Sequence, residues 1–344
     1  MIKGFLKVTG SDWLKPQISR RKTIHDVAKA AGVSISTASK ALNDNGRMHP
    51  DTRERVKRIA TEIGFRPNAL ARGLLSRRSL TIGLLTNDTY GRFSLPMMAG
   101  ASEALFDNGV SVFLCATNDN PELARLHVEA LLDKQVDGII FSATRLDRRP
   151  PMDLSNLPIP VVYVFAEGPP GSVTIIPDDE QGARLAVNHL IEKGRKRIVH
   201  ITGPEDFRAA RARSSAYHRI CGDSEPTLFG EWTETWGHEA VERLWSRNTP
   251  APDGIFCGND QIARGVIDAL RDRNIQIPKD VSVVGFDNWE IVAEQTRPAL
   301  TTIDMELKEL GRQAGLAVLA LSKGETTVGG TRKLHCSLIT RQSC

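Results

Sequence analysis

The pattern of hydrophobic and polar positions changes twice along the chain. Residues 1–22 show no clear period, and we predict a flexible leader there. From Thr23 to about Ile63 apolar residues recur at helical spacing, with short turns at Gly32 and at residues 43–46. This pattern predicts a small all-helical unit.

A second short helical pattern covers residues 68–76 and follows Pro67, which stops the preceding helix. We therefore predict that the helical unit spans residues 23–66 and that residues 67–79 form a hinge helix or linker. The remainder, residues 80–344, would form a separate body.

In the body, short apolar runs alternate with amphipathic segments, which is typical of parallel sheets with helices on both faces. Seven runs are predicted as strands, namely residues 81–86, 110–115, 138–142, 161–165, 197–203, 254–259 and 281–287. The predicted fold class is thus an all-α head plus an α/β body of two doubly wound parallel-sheet lobes.

Prolines near Pro177 and Pro298 lie where the chain could cross between the two lobes. We predict an N-lobe over about residues 80–177 plus a C-terminal return segment. The C-lobe would then cover about residues 178–303 plus the tail.

The basic charge is confined to one end of the chain. The first 80 residues hold 17 Lys and Arg against 6 Asp and Glu, whereas the remainder holds 28 against 35. Such an asymmetry favours a head that binds nucleic acid, because Lys and Arg neutralise phosphates. A solvated basic tail is the alternative.

The five cysteines are scattered and never form a C-x-x-C pair, so the sequence indicates neither a disulfide framework nor a metal site. No apolar run approaches the length that spans a bilayer, and the N-terminus lacks the apolar core of a signal peptide. We expect a cytoplasmic, nucleoid-associated protein that contacts no membrane.

Two short helical segments in the head fit a helix-turn-helix. Val27, Ala28 and Ala31 form one apolar face with room for a second helix. Gly32 can adopt a left-handed turn, and the hydroxyl of Ser34 can cap the next helix. A generic helical hairpin with a capped turn is the alternative.

The second of these helices presents polar residues near its N-terminus, the end that a recognition helix directs at base edges in the major groove. The candidates for DNA contact on this helix are Ser34, Ile35, Ser36, Thr37, Ser39 and Lys40.

Residues 23–42 resemble the head of the lactose-repressor (LacI/GalR) family, whose pattern is T-I-x-D-V-A-x-x-A-G-V-S-x-x-T-x-S-x-x-L. The resemblance continues through residues 52–56 and 64–68 and through the family's hinge motif at 71–74. It implies DNA contacts for Thr23, Asn68, Ala71 and Leu74, with Leu74 as a wedge in a minor-groove base step. A core leucine that anchors the linker is the alternative for Leu74.

The resemblance extends to about Ser343 and implies a periplasmic-binding-protein-like body with an effector site between its lobes. Motifs at strand and helix ends imply effector contacts for Tyr90, Phe93, Phe165, Asp178, Arg213, Trp232, Asn259 and Asp287. Phe165 stands where many relatives place an aspartate, and Trp236 is an alternative to Trp232 as the pocket wall. Helix capping for Asp178 and a surface ion pair for Arg213 remain open.

An enzyme is disfavoured, because the nucleophile elbow, the phosphate-binding glycine loops and the H-E-x-x-H zinc motif are all missing from the sequence. We expect no catalytic residue and no cofactor. The predicted function is a homodimeric transcriptional repressor whose affinity for double-stranded operator DNA is controlled by a small molecule, such as a sugar or sugar derivative. The alternative is a ligand-binding protein without a regulatory role.

Overall fold

The computed structural model describes residues 22–65, 78–222, 226–246 and 250–344. It divides into two compact units, one ending at Arg77 and one that begins at Arg78. Most of the predicted leader and hinge lies outside the described residues, and so do Asn68, Ala71 and Leu74.

The described part of the first unit consists of three helices: α1 (Ile24–Ala31), α2 (Ile35–Leu42) and α3 (Pro50–Glu62). Small residues dominate its core, which is why three short helices can approach one another closely. The fully or nearly fully buried members are Val27, Ala28, Ala31, Ala38, Ala41, Val56 and Ala60.

The second unit contains two six-stranded sheets. The first sheet has the order β11-β5-β4-β3-β1-β2, and all of its strand pairs are parallel. Its strands are β1 (Thr81–Thr86), β2 (Ser111–Ala116), β3 (Gly138–Ser142), β4 (Val161–Val164), β5 (Val173–Pro177) and β11 (Gly330–Leu334). The helices of this N-lobe are α4 (Ser94–Phe106), α5 (Pro121–Asp133) and α11 (Leu307–Ser322).

The second sheet has the order β12-β10-β9-β8-β6-β7, and only its β10–β12 pair is antiparallel. Its strands are β6 (Ile198–Thr202), β7 (Leu228–Phe229), β8 (Gly254–Cys257), β9 (Ser282–Asp287), β10 (Thr301–Asp304) and β12 (Ser337–Ile339). The helices of this C-lobe are α6 (Asp179–Glu192), α7 (Arg208–Cys221), α8 (Glu234–Trp245), α9 (Asp260–Asp272) and the short α10 (Glu290–Ala293).

The chain passes between the two sheets at three points. It leaves the first sheet after Pro177, returns after Asp304 and leaves again after Leu334. The return to the first sheet lies six residues beyond Pro298, because β10 follows that proline and pairs with β9 in the C-lobe. The carboxyl ends of the parallel strands in both lobes face the space between the lobes, where ligands of α/β proteins bind.

The fold class expected from the sequence is confirmed, but the two sheets contain five strands that were not among the seven predicted. These are β5, β7, β10, β11 and β12. Strand β7 has two residues and β12 has three, so neither is long enough to show a period. Strand β11 is almost wholly exposed, which removes the apolar signal of a buried strand.

Candidate functional site

The turn between α1 and α2 is fixed by local hydrogen bonds. The carboxylate of Asp26 accepts hydrogen bonds from the backbone nitrogen of Thr23 at 2.8 Å and from its hydroxyl at 2.9 Å. Gly32 ends α1 in the left-handed conformation, with φ at +62°, and the Val33 backbone nitrogen donates to the Ala28 carbonyl at 3.0 Å. Local hydrogen bonds therefore define both the start of α1 and the turn that leads to α2.

Helix α2 has one buried face and one exposed face. Ala38 and Ala41 pack in the core of the head, while the Ser34 hydroxyl caps the helix by accepting from the Thr37 backbone nitrogen at 3.0 Å. The residues that sequence analysis assigned to DNA on this helix are Ser34, Ile35, Ser36 and Lys40, which are exposed, and Thr37 and Ser39, which are partly buried. Ile35 is 44% exposed despite being apolar.

A cavity of about 240 Å³ opens between the two lobes of the body. Its walls come from the loops that follow β1, β3 and β4 in the N-lobe. In the C-lobe they come from the segments that follow β6, β7 and β8, from α7, and from the last residue of β9. The lining residues are Arg92, Phe93, Thr144, Arg145, Leu146, Phe165, Phe207, Ala209, Arg213, Trp232, Asn259 and Asp287. We refer to this cavity as the cleft.

Arg213 of α7 lies at the base of the cleft and is only 4% exposed. Its Nε and Nη2 groups donate to the same carboxylate oxygen of Asp179, at 2.9 and 2.7 Å, and its Nη1 group donates to the Gly258 carbonyl. The guanidinium also stacks over the Phe286 ring at 3.6 Å. Burial raises the pKa of Asp179, and the charge of Arg213 opposes that rise.

Asp287 ends β9 and connects the two lobes. Its carboxylate accepts a hydrogen bond from Arg92 of the N-lobe and lies 3.8 Å from the Nη1 atom of Arg213. Arg92 also donates to the Gln261 side chain at 2.9 Å and lies over the Trp289 ring at 4.6 Å. The carboxylate that sequence analysis assigned to the effector is thus held by an arginine from the opposite lobe.

The two residues that begin α9 have different roles. Asn259 lines the cleft while its side-chain oxygen caps the helix by accepting from the Ile262 backbone nitrogen at 2.7 Å. Asp260 is fully buried and accepts hydrogen bonds from the Thr302 hydroxyl and the Trp289 backbone nitrogen. Burial and the nearby charge of Asp287 raise the pKa of Asp260 to about 8.

Two pairs of aromatic rings form apolar walls of the cleft. Phe93 and Phe165 stack with ring centroids 5.0 Å apart, and Phe207 meets Trp232 edge-on at 5.7 Å. Gly203 makes room for the indole of Trp232, because a Cβ atom at Gly203 would lie 2.1 Å from that ring. Such flat walls can cover the CH face of a sugar ring.

The structure also separates the two tryptophans that sequence analysis left as alternatives. Trp232 lines the cleft, whereas Trp236 is buried in the C-lobe core. The indole nitrogen of Trp236 donates to the Thr202 carbonyl at 2.9 Å. Trp236 therefore has a structural role.

Six of the eight predicted effector residues line the cleft: Phe93, Phe165, Arg213, Trp232, Asn259 and Asp287. Tyr90 does not, because its side chain points to solvent and is 95% exposed. Asp178 also lies elsewhere, at the N-terminus of α6, where its carboxylate accepts from the Gln181 backbone nitrogen at 3.2 Å. Neither residue lines the cleft, and their contact with the effector stays a prediction.

Several cleft residues were missed from the sequence, most notably Arg145 and Phe207. Arg145 follows β3, and Phe207 follows β6, so both lie beyond the carboxyl end of a strand. That position was the signal available in the sequence. The Arg145 guanidinium stacks on the Phe207 ring at 3.7 Å and makes two hydrogen bonds to Asp147, at 2.7 and 2.9 Å.

Both units of the chain match known protein families. Residues 23–68 match the model described as bacterial regulatory proteins, lacI family. Residues 187–344 match the model of a periplasmic binding protein-like domain. Catabolite control protein A of Priestia megaterium is 31% identical over 93% of this chain and 98% of its own length. The chain belongs to the lacI family of bacterial regulatory proteins.

Other members of the lacI family agree in sequence and in fold. The transcriptional repressor PurR of Haemophilus influenzae is 31% identical over 85% of this chain and 88% of its own length. The lac repressor dimer bound to operator and the anti-inducer ONPF has a TM-score of 0.72 at 27% identity, covering 94% of this chain and 99% of that one. A complex of the regulator CelR with cellobiose has a TM-score of 0.64 at 28% identity, covering 94% and 100%.

This lacI-family chain is thus a DNA-binding transcription regulator with an effector-binding body, and it is not an enzyme. Within the described ranges, no group of His, Cys, Asp and Glu is placed to hold a metal ion. No helix in the part of the chain that the structure describes is long and apolar enough to cross a membrane.

Proposed function

We propose that the protein is a repressor that binds a palindromic operator as a homodimer and changes its operator affinity when a sugar or sugar derivative enters the cleft. The exposed face of α2 supports the proposed binding to DNA. Its polar residues surround the helix N-terminus, while Ala38 and Ala41 fix the opposite face in the core. Helices arranged in this way insert into the major groove.

Lys40 and Lys29 form a matched pair for testing this assignment. Both lysines are exposed, but Lys40 belongs to α2 and Lys29 to α1. We expect Lys40→Ala to weaken binding to the operator by more than Lys29→Ala, although both remove one positive charge. Electrophoretic mobility shifts at fixed salt, on the DNA upstream of the protein's own gene, measure the difference. Equal losses would contradict the assignment of α2 as the recognition helix.

Asn68, Ala71 and Leu74 lie outside the described residues, and their role is proposed from the sequence. Leu74 would enter a minor-groove base step at the operator centre and bend the DNA toward the major groove. Thr23 would contact a phosphate beside the first helix.

The cleft is the proposed effector site, and its lining supports a small polar ligand with an apolar face. Aromatic rings form two of the walls, while Arg213, Asn259 and Asp287 supply groups that can hydrogen-bond to hydroxyls. The lac repressor and CelR structures contain ONPF and cellobiose, respectively. These ligands favour a carbohydrate effector for this chain as well.

The homodimer is proposed to form through the outer edge of the N-lobe sheet. Strand β2 is an edge strand, yet it exposes the apolar side chains of Phe113 and Leu114, and Phe106 at the end of α4 is 79% exposed. Exposed apolar patches of this kind are typical of protein interfaces. Sedimentation of the wild type and of Leu114→Asp tests the proposal, since the charged variant should be a monomer and an unchanged dimer would contradict it.

A further inference from the structure

Charged side chains on the wall of the cleft are mostly positive. Three arginines, Arg92, Arg145 and Arg213, line the cleft against one carboxylate, that of Asp287. One oxygen of that carboxylate accepts a hydrogen bond from Arg92, and the other lies 3.8 Å from Arg213, so its negative charge is balanced within the protein.

The acidic partners of the other two arginines do not line the cleft. Asp179 is buried against Arg213, Asp147 accepts two hydrogen bonds from Arg145, and the exposed Asp206 carboxylate lies 3.6 Å from Arg145. The lining of the cleft therefore includes the guanidinium groups but not these three carboxylates. A cleft built in this way presents positive charge to whatever enters it.

Two of the arginines retain hydrogen-bond donors that no protein group uses. The Nε atom of Arg92 is buried and has no hydrogen-bond partner among the described residues. Arg145 uses Nε and Nη2 for Asp147 and for the Asp206 carbonyl, and its Nη1 group has no hydrogen-bond partner within the same ranges. Both residues belong to the N-lobe and follow neighbouring parallel strands, β1 and β3.

We propose that the effector is an acidic sugar derivative and that Arg145, together with Arg92, binds its carboxylate or phosphate group. This inference rests on the proposed function and narrows the class of effector. Guanidinium groups bind both kinds of anion with charge-assisted, often paired hydrogen bonds. The sugar ring would lie between the Phe93–Phe165 pair and Trp232, where a neutral parent sugar would leave the arginine donors without a partner.

Matched sets of compounds test the proposal by isothermal titration calorimetry on the full-length protein. Each set contains a neutral sugar, its aldonate, its uronate and its phosphate: glucose with gluconate, glucuronate and glucose 6-phosphate, and the same derivatives of galactose and ribose. We expect at least one acid to bind about 10-fold or more tightly than its neutral parent. The aldonate, uronate and phosphate arms separate a carboxylate effector from a phosphate effector.

Arg149 provides a matched control for Arg145, because it carries the same charge nearby but is exposed and does not line the cleft. Arg145→Gln should weaken binding of the acid by about 10- to 100-fold, the usual effect of losing hydrogen bonds to a charged group. Arg149→Gln should have no effect. Arg145→Lys, which keeps the charge, should still prefer the acid to its neutral parent, and this variant tests the proposal if Arg145→Gln does not fold.

The proposal is overturned if only neutral sugars bind, if no acid in the sets binds, or if Arg145→Gln and Arg149→Gln have equal effects. Operator binding of the wild type, measured in parallel without added compounds, distinguishes this failure from a failure of the proposed function. If the protein binds the operator specifically and responds to neutral sugars alone, the proposal of an acidic effector is contradicted, but the proposal of a repressor is not. Absence of specific operator binding contradicts the repressor, whatever the cleft binds.

Discussion

The buried Asp260 should give the protein an unusual dependence of stability on pH. Its carboxyl group is fully buried, and burial together with the charge of Asp287 raises its pKa to about 8 from an ordinary value of 3.8. At neutral pH the folded protein therefore holds a proton on Asp260 that the unfolded chain has released. The free energy of unfolding must then fall as the pH rises between these two values, and the fall levels off above pH 8.

The size of the effect is clearest above pH 6.5. Below that pH, His200 acts in the opposite direction, because burial lowers its pKa to about 3 and the unfolded chain binds a proton that the folded chain excludes. Above pH 6.5 the His200 contribution is small, and it cancels when the wild type is compared with a variant that keeps His200. One proton bound over one pH unit corresponds to about 1.4 kcal/mol, and Asp260 is half deprotonated at pH 8. From pH 6.5 to 8 it therefore lowers the free energy of unfolding by about 1.6 kcal/mol.

Asp260→Asn removes the titration and keeps the shape. The amide oxygen can accept from the Trp289 backbone nitrogen, and the amide nitrogen can donate to the Thr302 hydroxyl, whose proton can rotate away. Urea unfolding of both proteins, followed by tryptophan fluorescence at pH 6.5 and pH 8, gives the two free energies. The wild type should lose about 1.6 kcal/mol more than the variant. Equal losses would refute a neutral, buried Asp260.

Three further predictions address the head, the aromatic wall and the division of roles. Gly32→Ala has no neighbouring atom to clash with, but it places a side chain at φ +62°, so hydrogen exchange of the α1 and α2 amides should be about 5- to 30-fold faster, as expected for a cost of about 1–2 kcal/mol. Unchanged exchange would exclude that strain. Trp236→Leu should lower the free energy of unfolding by about 2–4 kcal/mol, whereas Trp232→Leu should change effector binding and lower stability by less, because Trp232 is only partly buried against the same core; the reverse pattern would contradict their placement. Leu74→Ala should weaken operator binding and spare the effector, while Asp287→Ala should abolish the effector response and spare operator binding, as gel shifts with and without effector would show. A loss of both activities in either variant would contradict this division.

The head could be predicted closely from the sequence because its structure is determined locally. The capping residues Thr23 and Ser34, the left-handed Gly32 and the small residues at helical spacing all act within a few positions of one another. Each of them leaves a pattern that a single sequence shows directly. The surface of α2 follows from that pattern, since Ala38 and Ala41 determine which face is buried.

The cleft was predicted only in part because its geometry depends on pairs that are distant in sequence. Arg92 contacts Asp287, and Arg145 contacts Phe207, across the two lobes. The periodic pattern of apolar residues in a sequence does not indicate such contacts. Asp178 and Asp179 are adjacent in sequence, and a sequence pattern does not separate their roles. In the structure Asp178 caps the helix and Asp179 binds Arg213.

We propose above all that one molecule couples operator binding to occupation of the cleft. Fluorescence anisotropy of a labelled fragment from upstream of the protein's own gene, titrated with the full-length protein at fixed salt in the presence of each sugar and sugar acid, measures that coupling. We expect specific binding whose affinity changes about 5- to 150-fold with one compound, and we expect Asp287→Ala to lose this response. Specific binding that no compound alters, or an equal response in Asp287→Ala, would contradict it.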